Sequence, residues 1–207
     1  VSKSFLKEYP VLTVPTGINL SRFRPVTSLI RTEYGIGARK LVLGIANPWR
    51  ERKGYKDFIE LAGLLDDNYR IAMVGLRKNQ MQGLPENIIP LEKTDSIEDI
   101  VKWYSAADVY VNLTYEDTFP TTNIESMACG TPVITYRAGG STESVSGKTG
   151  AVVEKNDLSG VKRAIEEVTE RNPQRVREFC LSRAKDYSAA KRYEEYMTKV
   201  YGLKRKY

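Results

Sequence analysis

Short apolar runs rich in β-branched residues alternate along this chain with helical patterns, and that alternation is the feature that most narrows its fold. The runs fall at residues 11–14, 41–46, 70–75, 88–91, 109–113, 132–135 and 151–153. Strands that read as continuous apolar runs separated by helices predict an α/β fold, a Rossmann-like doubly wound parallel sheet with helices on both faces. Phe58, Leu61, Ala62 and Leu65 follow the i, i+3, i+4, i+7 spacing, and so do Ile97, Ile100, Val101 and Tyr104, so each set makes one buried stripe.

After Asp157 the pattern is helical only. Leu158, Val161, Ile165 and Val168 form one stripe, Pro173 opens a second helix, and Tyr193, Tyr196, Met197 and Val200 mark a third. The expected organisation is a Rossmann-like domain over residues 1–157 and a helical extension over 158–207 that packs on it. The chain begins at Val1 rather than Met, with no signal-peptide pattern at its opening, and its natural start is expected upstream.

Composition excludes several chemistries. The chain of 207 residues has no His, which removes the commonest general base and any Ser-His-Asp arrangement. Cys129 and Cys180 lack metal-ligand spacing and read as reduced, structural thiols of a cytoplasmic protein. No apolar run approaches the ~20 residues of a membrane span. A net charge of +6 suits an anionic partner. The basic cluster Lys204-Arg205-Lys206 reads as a solvated tail, with a peripheral membrane contact as the alternative. No basic stripe interleaved with aromatics points to nucleic acid.

In a doubly wound sheet the ligand sits where strand ends lead into helix N-termini, which directs attention to residues 47–54, 115–125 and 137–143. The stretch YEDTFPTTNIESMACGTPVI places Asp117 and Glu125 eight residues apart across a loop that enters a helix. Thr122 and Glu125 have the capping-box spacing, while the outward amides of residues 121–124 form a ready phosphate site. Capping and ligand binding both remain open for Glu125. Arg52 and Lys53 follow a strand at the ligand edge, where a cation can offset leaving-group charge, and Gly54 permits close backbone approach. Gly139-Gly140 is either a tight turn or a second approach to the ligand. Gly147-Lys148-Thr149 looks like the end of a P-loop but has Thr142 where that motif needs Gly.

These segments together resemble the C-terminal, donor-binding domain of family 4 (group 1) retaining glycosyltransferases of the GT-B fold. YEDTFPTTNIESMACGTPVI is similar to the family's E-x7-E region. VLTVPTGINLSRFRP, WRERKGYKDFIEL, SAADVYVNLTYEDTF and MACGTPVITYRAGGSTESV resemble its neighbouring segments in order and spacing. The resemblance implies that Lys53 neutralises the diphosphate of a UDP- or GDP-sugar donor, that Asp117 contacts the donor sugar and that Glu125 binds the ribose. Arg52, Gly54, Glu116, Thr118, Phe119, Pro120, Thr121, Thr122 and Asn123 would line the donor site. The loops at Gly75 and Leu91 would meet the base. No other cofactor and no metal is implied, since Asp-x-Asp does not occur. The acceptor, a glycan or lipid-linked hydroxyl, would be held by an N-terminal domain that precedes Val1, and the fragment alone would be inactive.

Two positions depart from the family pattern. Asp117 stands where Glu is usual, with Glu116 as the alternative, and Pro48 stands where Arg is common, with Arg52 or Arg50 as substitutes. A GT-B sugar-nucleotide epimerase and a non-catalytic nucleotide-binding module are the rival readings.

Overall fold

The computed structural model describes residues 3–5, 7–9 and 11–202; the basic cluster at Lys204-Arg205-Lys206 lies outside them. Six strands form one parallel sheet: β1 (Lys40–Ile45), β2 (Tyr69–Val74), β3 (Ile88–Leu91), β4 (Val109–Asn112), β5 (Val133–Tyr136) and β6 (Gly150–Val153), in the order β3-β2-β1-β4-β5-β6. Each agrees with an expected run to within one residue at either end.

Alternate strand residues feed opposite faces, as the pleat requires. Val42 packs with Ile71, Met73, Val109 and Val111 beneath α2 (Tyr55–Leu64) and α6 (Leu158–Glu170), whose stripes supply Phe58, Leu61, Val161 and Ile165. Leu41 and Leu43 point the other way, toward α1 (Ile30–Glu33), α3 (Ile97–Ala106), α4 (Thr121–Ala128) and α7 (Pro173–Lys185). A short helix α5 (Ser141–Ser144) follows Gly139-Gly140. Ser96, Asp157 and Asn172 cap α3, α6 and α7 with side-chain oxygens, each worth about 1 kcal/mol. Both cysteines are free and buried, and burial pushes each thiol up to about 12.

The run at 11–14 does not form a strand. Val11 and Leu12 are exposed, and the isolated parallel bridge between Ile18 and Ser188 lies beyond the run. A β-branched run suits a pleated surface only where it docks on one, and this run pairs with neither edge strand, β3 nor β6. The last helix, α8 (Ala189–Tyr201), exposes Tyr193, Tyr196, Val200 and Tyr201. No helix among the described residues is long and apolar enough to cross a membrane.

Candidate functional site

From β1 the chain winds outward through β2 to β3, then returns to place β4 on the other side of β1 and winds the opposite way. The loops that leave β1 and β4 therefore diverge, and the gap between them is where an open α/β sheet admits a ligand. A cavity of about 360 Å³ lies there, lined by Ala46 and Asn47 after β1, by Asn112 and Leu113 at the end of β4, and by Trp49, Lys53, Asp117 and residues 119–122.

Lys53 and Asp117 are 64 residues apart, and the fold brings Lys53 Nζ to 2.8 Å from Asp117 Oδ2, with both side chains largely buried. Two backbone devices hold them. The 3-10 turn Glu51–Lys53 ends at Gly54, whose φ of 74° closes it; a Cβ there would lie 2.5 Å from the Leu113 carbonyl oxygen. The space beside Gly54 is thus filled by Leu113, just past β4, and the Arg52 carbonyl accepts the Tyr115 amide at 2.9 Å. Behind Asp117, Gly139 (φ +48°) and Gly140 lie against the loop so tightly that a Cβ on either would come within 2.0 Å of the Asp117 or Thr118 carbonyl oxygen. The Gly140 amide donates to Asp117 O at 3.2 Å, so these glycines support the Asp117 loop. Asp117 Oδ1 accepts the Phe119 amide at 3.2 Å, which fixes the carboxylate's direction.

Helix α4 starts at Thr121 with Pro120 as its N-cap and no side-chain cap. The capping box expected between Thr122 and Glu125 is therefore absent: the helix begins before Thr122, which lies in its first turn and bonds Tyr110. The Thr121 and Thr122 amides have no acceptor within the helix, and both residues line the cavity, so partial positive charge meets any ligand there. Glu125 is one turn deeper and is not part of the lining. It accepts Tyr104 Oη–H at 3.1 Å and bonds Thr121. Burial raises its pKa, and these two donors oppose the rise. Asn123 is fully buried: its Oδ1 accepts from Asn112 at 2.8 Å and its Nδ2 donates to Ser141 O at 3.3 Å, which ties α4 to β4 and α5.

Arg52, Glu116 and Thr118 line an adjoining hollow of about 570 Å³, which shares Asp117 with the first and adds Lys155. The loops after β2 and β3 meet: the Gly75 amide donates to Leu91 O at 3.0 Å, and Leu91 lines a separate groove of about 270 Å³ beside Trp103. Neither residue lines the Lys53 cavity. Arg50 and Arg52, the two substitutes for an Arg at Pro48, are both exposed, and Arg52 lines the adjoining hollow. Sequence reasoning missed Trp49, buried in the cavity wall with its indole N–H donated to Val74 O at 2.8 Å. A Trp directly after the first strand of a candidate sheet was the available signal.

Comparison with known proteins converges on this architecture. The sequence profile described as glycosyl transferases group 1 matches residues 39–171. The D-inositol 3-phosphate glycosyltransferase of Mycobacterium sp. (strain KMS) is 26% identical over 189 residues, covering 84% of this chain. The chain spans 43% of that protein's length. The Anabaena protein Alr3699/HepE, solved in complex with UDP-glucose, superposes with a TM-score of 0.76 at 16% identity over 90% of this chain and 56% of its own. The C-terminal domain of the group 1 family protein LpcC from Francisella tularensis superposes with a TM-score of 0.67 at 19% identity over 82% of this chain and 97% of that domain. With the profile covering most of the sheet and both motif-bearing loops, the chain belongs to the group 1 glycosyl transferases of the GT-B fold.

Proposed function

We propose that this chain is the donor-binding half of a retaining glycosyltransferase that moves a hexose from a UDP- or GDP-sugar to an acceptor hydroxyl held by the remainder of a longer protein. The observation that carries the reading is the Lys53–Asp117 pair in the lining of the switch-point cavity, together with Thr121 and Thr122 at the start of α4. A diphosphate seated there meets both a cation and helix-start dipoles, with no metal required.

In this reading Lys53 stabilises the diphosphate as the sugar–phosphate bond breaks, and Asp117 orients the sugar. Glu125, reached past Thr121, takes the ribose hydroxyls, and the joined loops at Gly75 and Leu91 take the base. The leaving diphosphate itself helps deprotonate the acceptor on the same face of the sugar, so a chain without His is no obstacle. The complex of the Anabaena neighbour with UDP-glucose makes uridine the first base to try. The acceptor half would cover the exposed tyrosines of α8, and the fragment alone would bind donor without transferring sugar. The net charge of +6 suits work in the cytoplasm near the inner membrane face on a bacterial polysaccharide or related glycan.

Calorimetric titration of the chain with UDP, GDP and ADP tests the reading. One diphosphate is expected to bind selectively, and Lys53→Ala to weaken it about tenfold or more, the scale of a lost charge-assisted contact. Absence of binding to all three, or a Lys53→Ala variant that binds as the wild type does, contradicts it.

A further inference from the structure

Asp57 lies in the first turn of α2, is assigned no role by the sequence reading, and is outside the lining of both hollows. Its Oδ2 accepts two phenol protons, from Tyr115 at 2.7 Å and from Tyr136 at 2.8 Å. Tyr115 directly precedes Glu116 and Asp117. Tyr136 ends β5, and three residues later the chain reaches Gly139. One carboxylate therefore joins the helix that follows Lys53, the loop that carries Asp117 and the turn that supports it. The two rings pack edge to face at 5.6 Å, so each phenol also fixes the other's approach.

The bonds are of the strong kind. A phenol has a single proton, and an ionised carboxylate is a better acceptor than the Asn156 amide oxygen, which lies 2.6 Å from Tyr115 Oη. Burial raises both phenols, Tyr115 up to about 12, so both remain donors throughout the neutral range. The helix packs on the sheet through Phe58, Leu61 and Ala62 as well, and an acid in its first turn serves the helix dipole with or without the tyrosines.

We propose that Asp57 is a positioning residue for the donor site, setting the spacing of the Lys53 turn, the Asp117 loop and the Gly139 turn so that Lys53 and Asp117 act on one ligand together. The inference rests on the donor-binding reading above. Because Asp57 does not line the cavity, any effect it has on binding travels through Tyr115 and Tyr136.

The test is titration of the wild type, Asp57→Ala, Asp57→Asn, Tyr115→Phe and Tyr136→Phe with UDP, GDP and ADP, together with thermal melts. Leu61→Ala, in the buried stripe of the same helix, serves as the stability control. Asp57→Ala is expected to bind about tenfold more weakly, while Asp57→Asn, which keeps an oxygen acceptor, stays within about threefold of wild type. Each phenylalanine variant should weaken binding in the wild-type background and add nothing in the Asp57→Ala background, the mark of a shared network. Leu61→Ala should lower Tm and leave Kd unchanged. Wild-type affinity in Asp57→Ala and in both phenylalanine variants overturns the inference while leaving the donor site standing. So does a loss of affinity that merely follows Tm and appears equally in Leu61→Ala. A wild type that binds none of the three nucleotides overturns the donor-site reading and this inference with it. Should Asp57→Ala fail to fold, Tyr115→Phe and Tyr136→Phe, which keep ring volume and packing, decide the question.

Discussion

Burial raises the pKa of Glu125, while Thr121 and the Tyr104 phenol donate to it and favour the charged form. A carboxyl whose folded pKa stands above its unfolded value contributes stability that is fully present below the unfolded pKa and is lost as pH rises through the folded one. Near neutral pH the charged group is therefore a cost to the fold. Glu125→Gln keeps an acceptor for Tyr104 and removes the charge, so it is expected to melt above the wild type at neutral pH, with the gap closing as the solution is acidified. If Glu125 also holds the ribose, the same variant binds nucleotide about tenfold more weakly. Melts across pH and a titration check both halves; a variant that melts lower at neutral pH would refute the first. The spacing of Thr122 and Glu125 suggested a cap, and only the position of Pro120 decides otherwise: spacing fixes which residues share a helix face, not where the first turn begins.

At the scale of elements, the strands were legible because a parallel sheet covered on both faces needs unbroken apolar runs, and all six runs that entered it were read within a residue. The run at 11–14 satisfied the same rule and failed, since composition cannot report whether a run docks on a sheet edge. The Gly139-Gly140 turn shows the complementary limit. Its two glycines were visible in the sequence, but their close approach to the Asp117 and Thr118 carbonyls is tertiary. Gly139→Ala places a Cβ against Asp117 O at a φ of +48° and is expected to cost about 2 kcal/mol or more and to abolish nucleotide binding. Gly63→Ala, on the exposed side of α2 with nothing within 4 Å of its Cβ, is expected instead to stabilise by about 0.5–1 kcal/mol. Urea denaturation of the two variants separates these outcomes; equal and small effects from both would show that the Asp117 loop is not braced by the turn.

For the whole molecule, the order β3-β2-β1-β4-β5-β6 creates one reversal of winding, and Lys53, Asp117, Thr121 and Thr122 gather there from two segments more than sixty residues apart. Their chemistry was readable locally, as a basic turn after one strand and an acidic loop entering a helix after another. The groups that hold them were not. Asp57 finds its partners 58 and 79 residues along the chain, and Trp49 finds its acceptor 25 residues away, with no local pattern to announce either. The opposite end of the sheet carries a larger hollow of about 710 Å³ among Lys40, Asn68, Tyr69 and Glu166, at the amino ends of the strands, where a doubly wound sheet offers no diverging loops. Size and topology thus point to different places, and amide shift mapping of the isotopically labelled chain titrated with UDP distinguishes them. The account predicts the largest shifts at Lys53, Thr118, Thr121 and Thr122. Shifts confined to Lys40, Asn68, Tyr69 and the C-terminal end of α6, or no shifts at all, would contradict it.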